Sequence, residues 1–319
     1  MKKGAWFGLL GGITWAIDTI LIGIILSSQL MIENTSIIFL APLISTFLHD
    51  FLSSIWIMLF LTVKGNLILT FSKIKTSSGL FVMLGAILGG PIGMTFYVLG
   101  VQYLGASYTA AISAICPATG AFFASVFLKE RLKFLNWIGL TISIIFIIVL
   151  GLFNNNGDSK SSLLGFIFVC ICVISWSLEG VIYAYGVKNN ELTAAEALLI
   201  RQLTSTLTYG ILIIPIFNGI TFTLEVVHHF EFTIIALTSL IGTASYFFYY
   251  QSIKEIGPIK AMALNTTYSA WAVAFSILLL GTPFSWELIM CCTLILLGAI
   301  LTIINPVTLF KLRFLIKFK

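Results

Sequence analysis

The sequence predicts an all-α integral membrane protein with ten transmembrane helices, arranged as two inverted five-helix repeats with both termini in the cytoplasm. Three observations lead there. Of 319 residues, 59% are hydrophobic and only 9% charged, against roughly 25% charged in a soluble domain, and the mean hydropathy is +1.08. Apolar stretches of the length that crosses the hydrocarbon as a helix, roughly 17–25 residues, recur ten times. Finally, Trp15-x-x-Asp18 returns 161 positions later as Trp176-x-x-Glu179, inside an apolar run both times, as a duplicated unit would have it.

The first run, 4–26, follows Met1-Lys2-Lys3 and so begins like a signal peptide. It continues to Leu26, carries Trp15 and Asp18, and is followed by no clear small-residue cleavage site, so it reads as a retained helix. The second, 39–63, contains His49 and Asp50. The third, 79–101, contains Gly89-Gly90-Pro91-Ile92-Gly93-Met94. There Pro91 removes a backbone hydrogen bond, and Gly90 and Gly93 permit a kink or a close approach, a break tolerated at membrane depth where it is buried in protein or lines a cavity. The fourth, 106–128, is rich in small residues, among them Ala106, Ser107, Ala110, Ala111 and Ser113, which suits close packing on a partner helix, with 259–280 the partner the repeat implies. The fifth, 134–153, ends at the turn Asn154-Asn155-Asn156-Gly157-Asp158.

The second half repeats the plan: 163–186 with Trp176 and Glu179, 195–217 with Arg201, 231–252 with Tyr246, Tyr249 and Tyr250, 259–280 with Asn265, Tyr268 and Trp271, and 285–305 after Gly281-Thr282-Pro283. The expected units are 1–156, 157–306 and a basic cytoplasmic tail, 307–319. Alternation of ten spans collects fifteen of the seventeen basic residues on the side of both termini, leaving Lys160 opposite and Arg201 within a span. The positive-inside rule makes that side cytoplasmic. Leu48–Ser53 aligns with Ile200–Ser205 at an offset of 152, as do Leu104-Gly105 with Ile256-Gly257 and Ser113 with Asn265. Because each half holds an odd number of spans, the halves enter from opposite sides, so the duplication is inverted about an axis in the membrane plane, a common basis for alternating access.

The net charge of +5 comes mostly from loops and the tail, so it reports topology and contact with anionic lipid rather than nucleic acid. Cys116, Cys170, Cys172, Cys291 and Cys292 all lie in apolar runs without zinc spacing, so they read as small buried hydrophobes. No phosphate-binding loop, metal constellation or cofactor motif is present. A membrane enzyme or scaffold is therefore a distant third reading.

A carboxylate at bilayer depth costs about 2.5–3.5 kcal/mol even on the lenient insertion scale, so it normally faces a protein-lined, wet cavity. In each half the acid shares a helix face with a tryptophan, at i and i+3. Two tryptophans, several tyrosines and an acid are what a quaternary ammonium ligand needs, having no N–H to donate and a charge that ring faces attract. The same rings also suit helix packing and membrane interfaces. His49, Asp50 and Arg201 have two readings: proton coupling by His49 or Asp50 with Arg201 as charge partner, or a fixed Asp50–Arg201 pair or an Arg201 snorkelling toward the cytoplasmic side.

Several segments carry a family resemblance: His49-Asp50-Phe51-Leu52-Ser53, Gly90-Pro91-Ile92-Gly93-Met94, Glu196-Ala197-Leu198-Leu199-Ile200-Arg201-Gln202, Ser245-Tyr246 with Tyr249-Tyr250, and Leu264-Asn265 with Tyr268 and Trp271. On these the chain resembles the drug/metabolite transporter superfamily (EamA-like, ten spans) and, within it, the LicB-type choline permeases. The resemblance implies a proton-coupled choline importer working by alternating access, functional as a monomer in the bacterial cytoplasmic (inner) membrane. It assigns substrate binding to Trp15, Trp176, Glu179, Tyr246, Tyr268 and Trp271, with Asn265 on the same face, and leaves Asp18, His49, Asp50 and Arg201 for coupling or gating. Asp18 departs from the pattern, and an extra acid there would favour a different cation. The runner-up is an exporter of amino acids or other small metabolites and cations, as in the wider superfamily.

Overall fold

The computed structural model describes residues 2–33, 39–127, 133–153, 159–186, 191–256 and 258–303. The expected turn at 154–158 and tail at 307–319 lie outside these residues. The described residues form helices and no strands. In chain order they are α1 (Lys2–Leu26), α2 (Leu40–Val63), α3 (Ser77–Leu104), α4 in two pieces (Ala106–Ser113 and Cys116–Phe127), α5 (Phe134–Phe153), α6 (Ser159–Gly186), α7 (Ala194–Ile216), α8 (Phe230–Ile256), α9 in two pieces (Pro258–Asn265 and Tyr268–Leu280) and α10 (Trp286–Ile303). Three short helices, Gln29–Glu33, Leu67–Lys73 and Ile220–Val227, sit in the connections.

By length and composition, seven helical segments among the described residues could cross a membrane: Lys3–Leu26, Leu40–Val63, Ser77–Leu104, Ala106–Phe123, Leu163–Tyr185, Ala194–Ile216 and Phe230–Ile256. Phe134–Val149, Tyr268–Leu280 and Trp286–Leu301 are shorter apolar helices in the fifth, ninth and tenth expected runs. Large apolar side chains such as Ile211, Leu237 and Leu278 point outward, as suits a multi-pass membrane protein.

Local chemistry sets several boundaries. Thr193 and Glu196 form a reciprocal capping box that starts α7, each side chain bonded to the other's backbone N–H, which satisfies donors a helix start leaves open. Lys73 Nζ lies 2.8 Å from both Glu196 oxygens and ties the short helix before α3 to that cap. Gly105 takes φ +82° between α3 and α4, a conformation glycine adopts without a Cβ penalty. Within α3, Leu88–Met94 is a π-helical turn containing Pro91, the expected break.

Helix α1 packs on α8 and α3 on α6; α2 packs on α7, α4 on α9 and α5 on α10; α1 also meets α9 as α6 meets α4. This set is unchanged when the halves are exchanged. Ser252 Oγ donates to Gly4 O at 2.8 Å and Ser245 Oγ to Gly11 O at 2.9 Å, so α1 and α8 are antiparallel. Gly93 meets Trp176 and Gly100 meets Val169, which makes α3 and α6 antiparallel too. Thr19 bonds Tyr97 at 2.7 Å and Gly23 lies against Val101, so α1 is parallel to α3 and therefore opposed to α6.

The other equivalent pairs are likewise antiparallel. Gln202 Nε2 donates to Ser53 Oγ at 2.6 Å and Ser205 Oγ to Asp50 Oδ2 at 2.5 Å. Tyr268 donates to Ser113 at 2.6 Å while Met262 lies at Gly120, and Asn136 and Ser143 donate to Leu301 O and Ile295 O. Some contacts join residues at the repeat offset itself, as with Ser54 Oγ and Thr206 Oγ1, 3.2 Å apart. Contacts between matching residues are what a two-fold relation between the halves would produce beside its axis.

Candidate functional site

Trp15 and Trp176, equivalent in the two halves, meet edge to face at a centroid distance of 5.4 Å. Aromatic pairs favour that arrangement because the positive edge of one ring faces the negative face of the other. Tyr97 lies 4.8 Å from Trp176 and 5.8 Å from Trp15, and Tyr246 lies 5.3 Å from Trp15. Trp176 Nε1 donates to Gly89 O at 3.0 Å, a carbonyl of the π-helical turn, so the helix break fixes the ring's orientation.

Beside these rings opens a cavity enclosing about 730 Å³ of empty space, mouth included. Its wall combines α1, α4, α6, α8 and α9, and includes the breaks of α4 and α9 at Cys116-Pro117 and Thr266. Six expected binding residues line it: Trp15, Trp176, Glu179, Tyr246, Asn265 and Tyr268. Trp271 does not; it is 39% exposed and stacks on Phe275. Asn265 and Tyr268 both stay on the cavity side across the break at Thr266-Thr267, whereas Trp271, three residues beyond Tyr268 in the same helix, points outward.

Tyr183, Tyr249 and Tyr250 also face the cavity. Tyr249 and Tyr250 belong to the tyrosine cluster visible in the sequence. Tyr183 was legible too, since it follows Trp176 by seven residues and Glu179 by four, on one helix face. It stacks on Tyr250 at 4.2 Å.

The acid of each Trp-x-x-acid motif is paired with a base on the next helix of the chain, and in the same way in both halves. Arg201 Nε donates to Glu179 Oε1 at 2.8 Å. His49 Nε2 lies 3.1 Å from Asp18 Oδ1, and His49 aligns with Arg201 at the 152 offset. Arg201 also donates to Gln202 Oε1 and Tyr246 OH, and its guanidinium carbon is 4.1 Å from the Tyr246 ring centroid.

The Asp50–Arg201 pair considered from sequence is not the one formed. Asp50 instead faces His49 Nδ1 at 3.2 Å and accepts from Ser205. Arg201 is only 1% exposed and so does not snorkel; the alignment of equivalent residues carries no information about which acid a guanidinium reaches. Among the described residues no group of three or more His, Cys, Asp or Glu side chains is placed to hold a metal ion.

Glycines of α3 and α8 cover the two ion pairs. A Cβ on Gly89 would lie 1.8 Å from Glu179 Oε2, and one on Gly242 would lie 2.6 Å from His49 Nε2. Gly89→Ala therefore forces the carboxylate away from its present place. The variant is expected to unfold at a clearly lower temperature than wild type in a thermal-shift measurement, because disrupting a buried ion pair costs about 3–5 kcal/mol.

Chemically, the cavity offers π faces, a carboxylate already neutralised by a guanidinium, and a few neutral polar groups. It has no activated nucleophile in that wall.

Comparison with known proteins places these features. The sequence matches the EamA-like transporter family over residues 2–152 and 163–304. It is 33% identical to "Protein LicB" of Haemophilus influenzae (strain ATCC 51907 / DSM 11121 / KW20 / Rd) over 304 residues, 94% of this chain and 97% of that one. A solved structure, described only as the crystal structure of a protein, superposes with a TM-score of 0.63 over 93% of this chain and 94% of its own, at 14% identity. That likeness speaks to the fold alone.

Proposed function

The chain belongs to the EamA-like transporter family, and from that membership we propose a secondary transporter that imports choline or a close quaternary ammonium compound. The observation that carries this reading is the ring of aromatic side chains around one carboxylate: Trp15, Trp176, Tyr183, Tyr246, Tyr250 and Tyr268 with Glu179.

The physical argument concerns what a cation loses on entering. A primary amine or guanidinium gives up strong hydrogen bonds to water, which a wall made mostly of ring faces, with Asn265 and hydroxyls between them, only partly replaces. A quaternary ammonium has no N–H, so it surrenders little and gains the ring faces. Each desolvated ring contributes roughly 0.5–2 kcal/mol, so four of them at the upper end supply about 8 kcal/mol, the equivalent of micromolar affinity. With Glu179 held by Arg201, the rings rather than net charge set the selectivity.

In this reading the ten apolar helical runs are ten spans, five per half. The antiparallel course of every equivalent helix pair, and the contacts between equivalent residues, support an inverted repeat around a midplane site. The bias of basic residues supports cytoplasmic termini, and the membrane is the bacterial inner membrane. The protein acts as a monomer by alternating access, driven by the proton gradient.

Calorimetry on purified protein tests the substrate. Choline is expected to bind in the micromolar range, with betaine and carnitine at least about tenfold weaker because a carboxylate accompanies the ammonium, and amino acids not detectably. Binding of amino acids with no response to any quaternary amine would favour the exporter reading instead.

A further inference from the structure

We infer that Asp18, His49 and Asp50 form the proton-binding site of the transporter, the counterpart across the repeat of the Glu179–Arg201 pair at the cation cavity. The inference rests on the transport reading above and adds the residues that carry the coupling ion.

The cluster is sealed. Asp18 is 0%, His49 2% and Asp50 1% exposed. One imidazole stands between two carboxylates, with Nε2 3.1 Å from Asp18 and Nδ1 3.2 Å from Asp50. Ser205 satisfies the other Asp50 oxygen, but Asp18 Oδ2 is buried with no hydrogen-bond partner. An ionised oxygen in that position carries the full cost of an unpaired buried charge. With the imidazolium present, two carboxylates still leave one negative charge in excess, and one added proton removes it. The unpartnered Asp18 oxygen is where the geometry leaves room for that proton.

The groups facing the cluster agree. Along α1, Tyr97 of α3 reaches it through Thr19, Tyr246 of α8 lies against Trp15, and Tyr268 of α9 shares the same packed cluster. On the side of Asp50, α7 presents Tyr209 and Arg201, and Arg201 is already committed to Glu179 of α6. No permanent cation among these is left for the second acid.

The repeat explains why the two pairs differ. Both halves place an acid from the first helix against a base from the second. In the second half the base is arginine, which stays charged throughout the accessible pH range. In the first half it is histidine, the side chain whose ordinary titration falls near neutral pH. One copy of the ancestral pair thus serves a permanent organic cation, and the other can gain and lose a proton. The link between them is short: Ser205 on Asp50 and Gln202 on Ser53 and Arg201 join α2 to α7 beside the axis.

The test compares wild type, Asp18→Asn, His49→Gln and His49→Arg in proteoliposomes. Choline counterflow, which needs no gradient, is expected to stay within about threefold of wild type in at least Asp18→Asn and His49→Arg. Accumulation driven by an imposed proton gradient is expected to fall at least about tenfold in all variants. Gradient-driven accumulation at the wild-type level in Asp18→Asn or His49→Gln overturns the inference, as does a loss of counterflow and accumulation in equal proportion in every variant.

A second measurement needs no substrate. Trp15 lies one turn from Asp18, so tryptophan fluorescence is expected to show a pH transition across the neutral range that Asp18→Asn and His49→Gln abolish. An unchanged transition in both variants overturns the inference. If wild type binds no quaternary amine but the transition is present and lost in the variants, the choline reading fails and the proton site stands.

Discussion

Trp176→Ala is expected to reduce choline uptake to background while the protein still inserts into the membrane. Three losses coincide at this position. The ring leaves the cavity wall, which it lines beside Trp15; one desolvated ring is worth roughly 0.5–2 kcal/mol, up to about thirtyfold in affinity. The hydrogen bond from Nε1 to Gly89 O is lost, so a carbonyl of the π-helical turn goes unpaired at a cost of about 1–3 kcal/mol. The contact with Tyr97 at 4.8 Å also disappears. Trp176→Phe separates these effects, because it keeps a ring and removes only the donor. It is expected to retain choline binding within about tenfold while losing thermal stability. Uptake and fluorescence-detected size exclusion on the same preparations provide the check. Wild-type uptake by Trp176→Ala would mean the substrate binds elsewhere.

The second large effect concerns the buried ion pair. Arg201→Met alone leaves Glu179 ionised and unpartnered beside the cavity, and Glu179→Met alone leaves Arg201 so. Removal of one member of a buried pair costs about 3–5 kcal/mol, whereas replacing both by well-packed apolar residues is often neutral. Each single variant is therefore expected to unfold at clearly lower temperature than wild type. The double variant should recover most of that loss. Choline uptake should be absent in all three, since the double variant restores packing without restoring the carboxylate. Glu179→Gln is milder for stability, because its amide oxygen can still accept from Arg201 Nε, but it too removes the negative charge and is expected to abolish uptake. Recovery of transport in the double variant would show that the pair serves the fold and not the substrate.

Much of this site was legible in the sequence because its logic is local. Trp15 with Asp18, and Trp176 with Glu179, share helix faces by spacing alone, and a carboxylate in an apolar run has to find a polar partner somewhere. The break at Pro91 was legible for the same reason, since a proline cannot continue the hydrogen-bond ladder. What was not legible depends on how helices rotate against each other. Arg201 chooses Glu179 over Asp50 because α6 and α7 meet α3 on particular faces, and no spacing within α7 encodes that. Trp271 follows Tyr268 at the same step that joins Trp15 to Asp18, yet it points away, because three residues turn a helix by about 300° and leave the two side chains about 60° apart. The short connecting helices Leu67–Lys73 and Ile220–Val227 were missed as well. Segments of that length are marginal on propensity and are held by tertiary contacts, such as Lys73 on Glu196.

The Ser54–Thr206 contact has a mechanical consequence. A point beside a two-fold axis is carried nearly onto itself when the two copies trade shapes, while points far from the axis travel. If the halves exchange conformations during transport, this pair of hydroxyls works as a fulcrum. The crossing of α2 and α7 can stay in register through the whole cycle, and the helices swing about it. The outer contacts, Ile256 with Gly4 at one edge and Leu104 with Gly165 at its equivalent, are then the two ends of one lever.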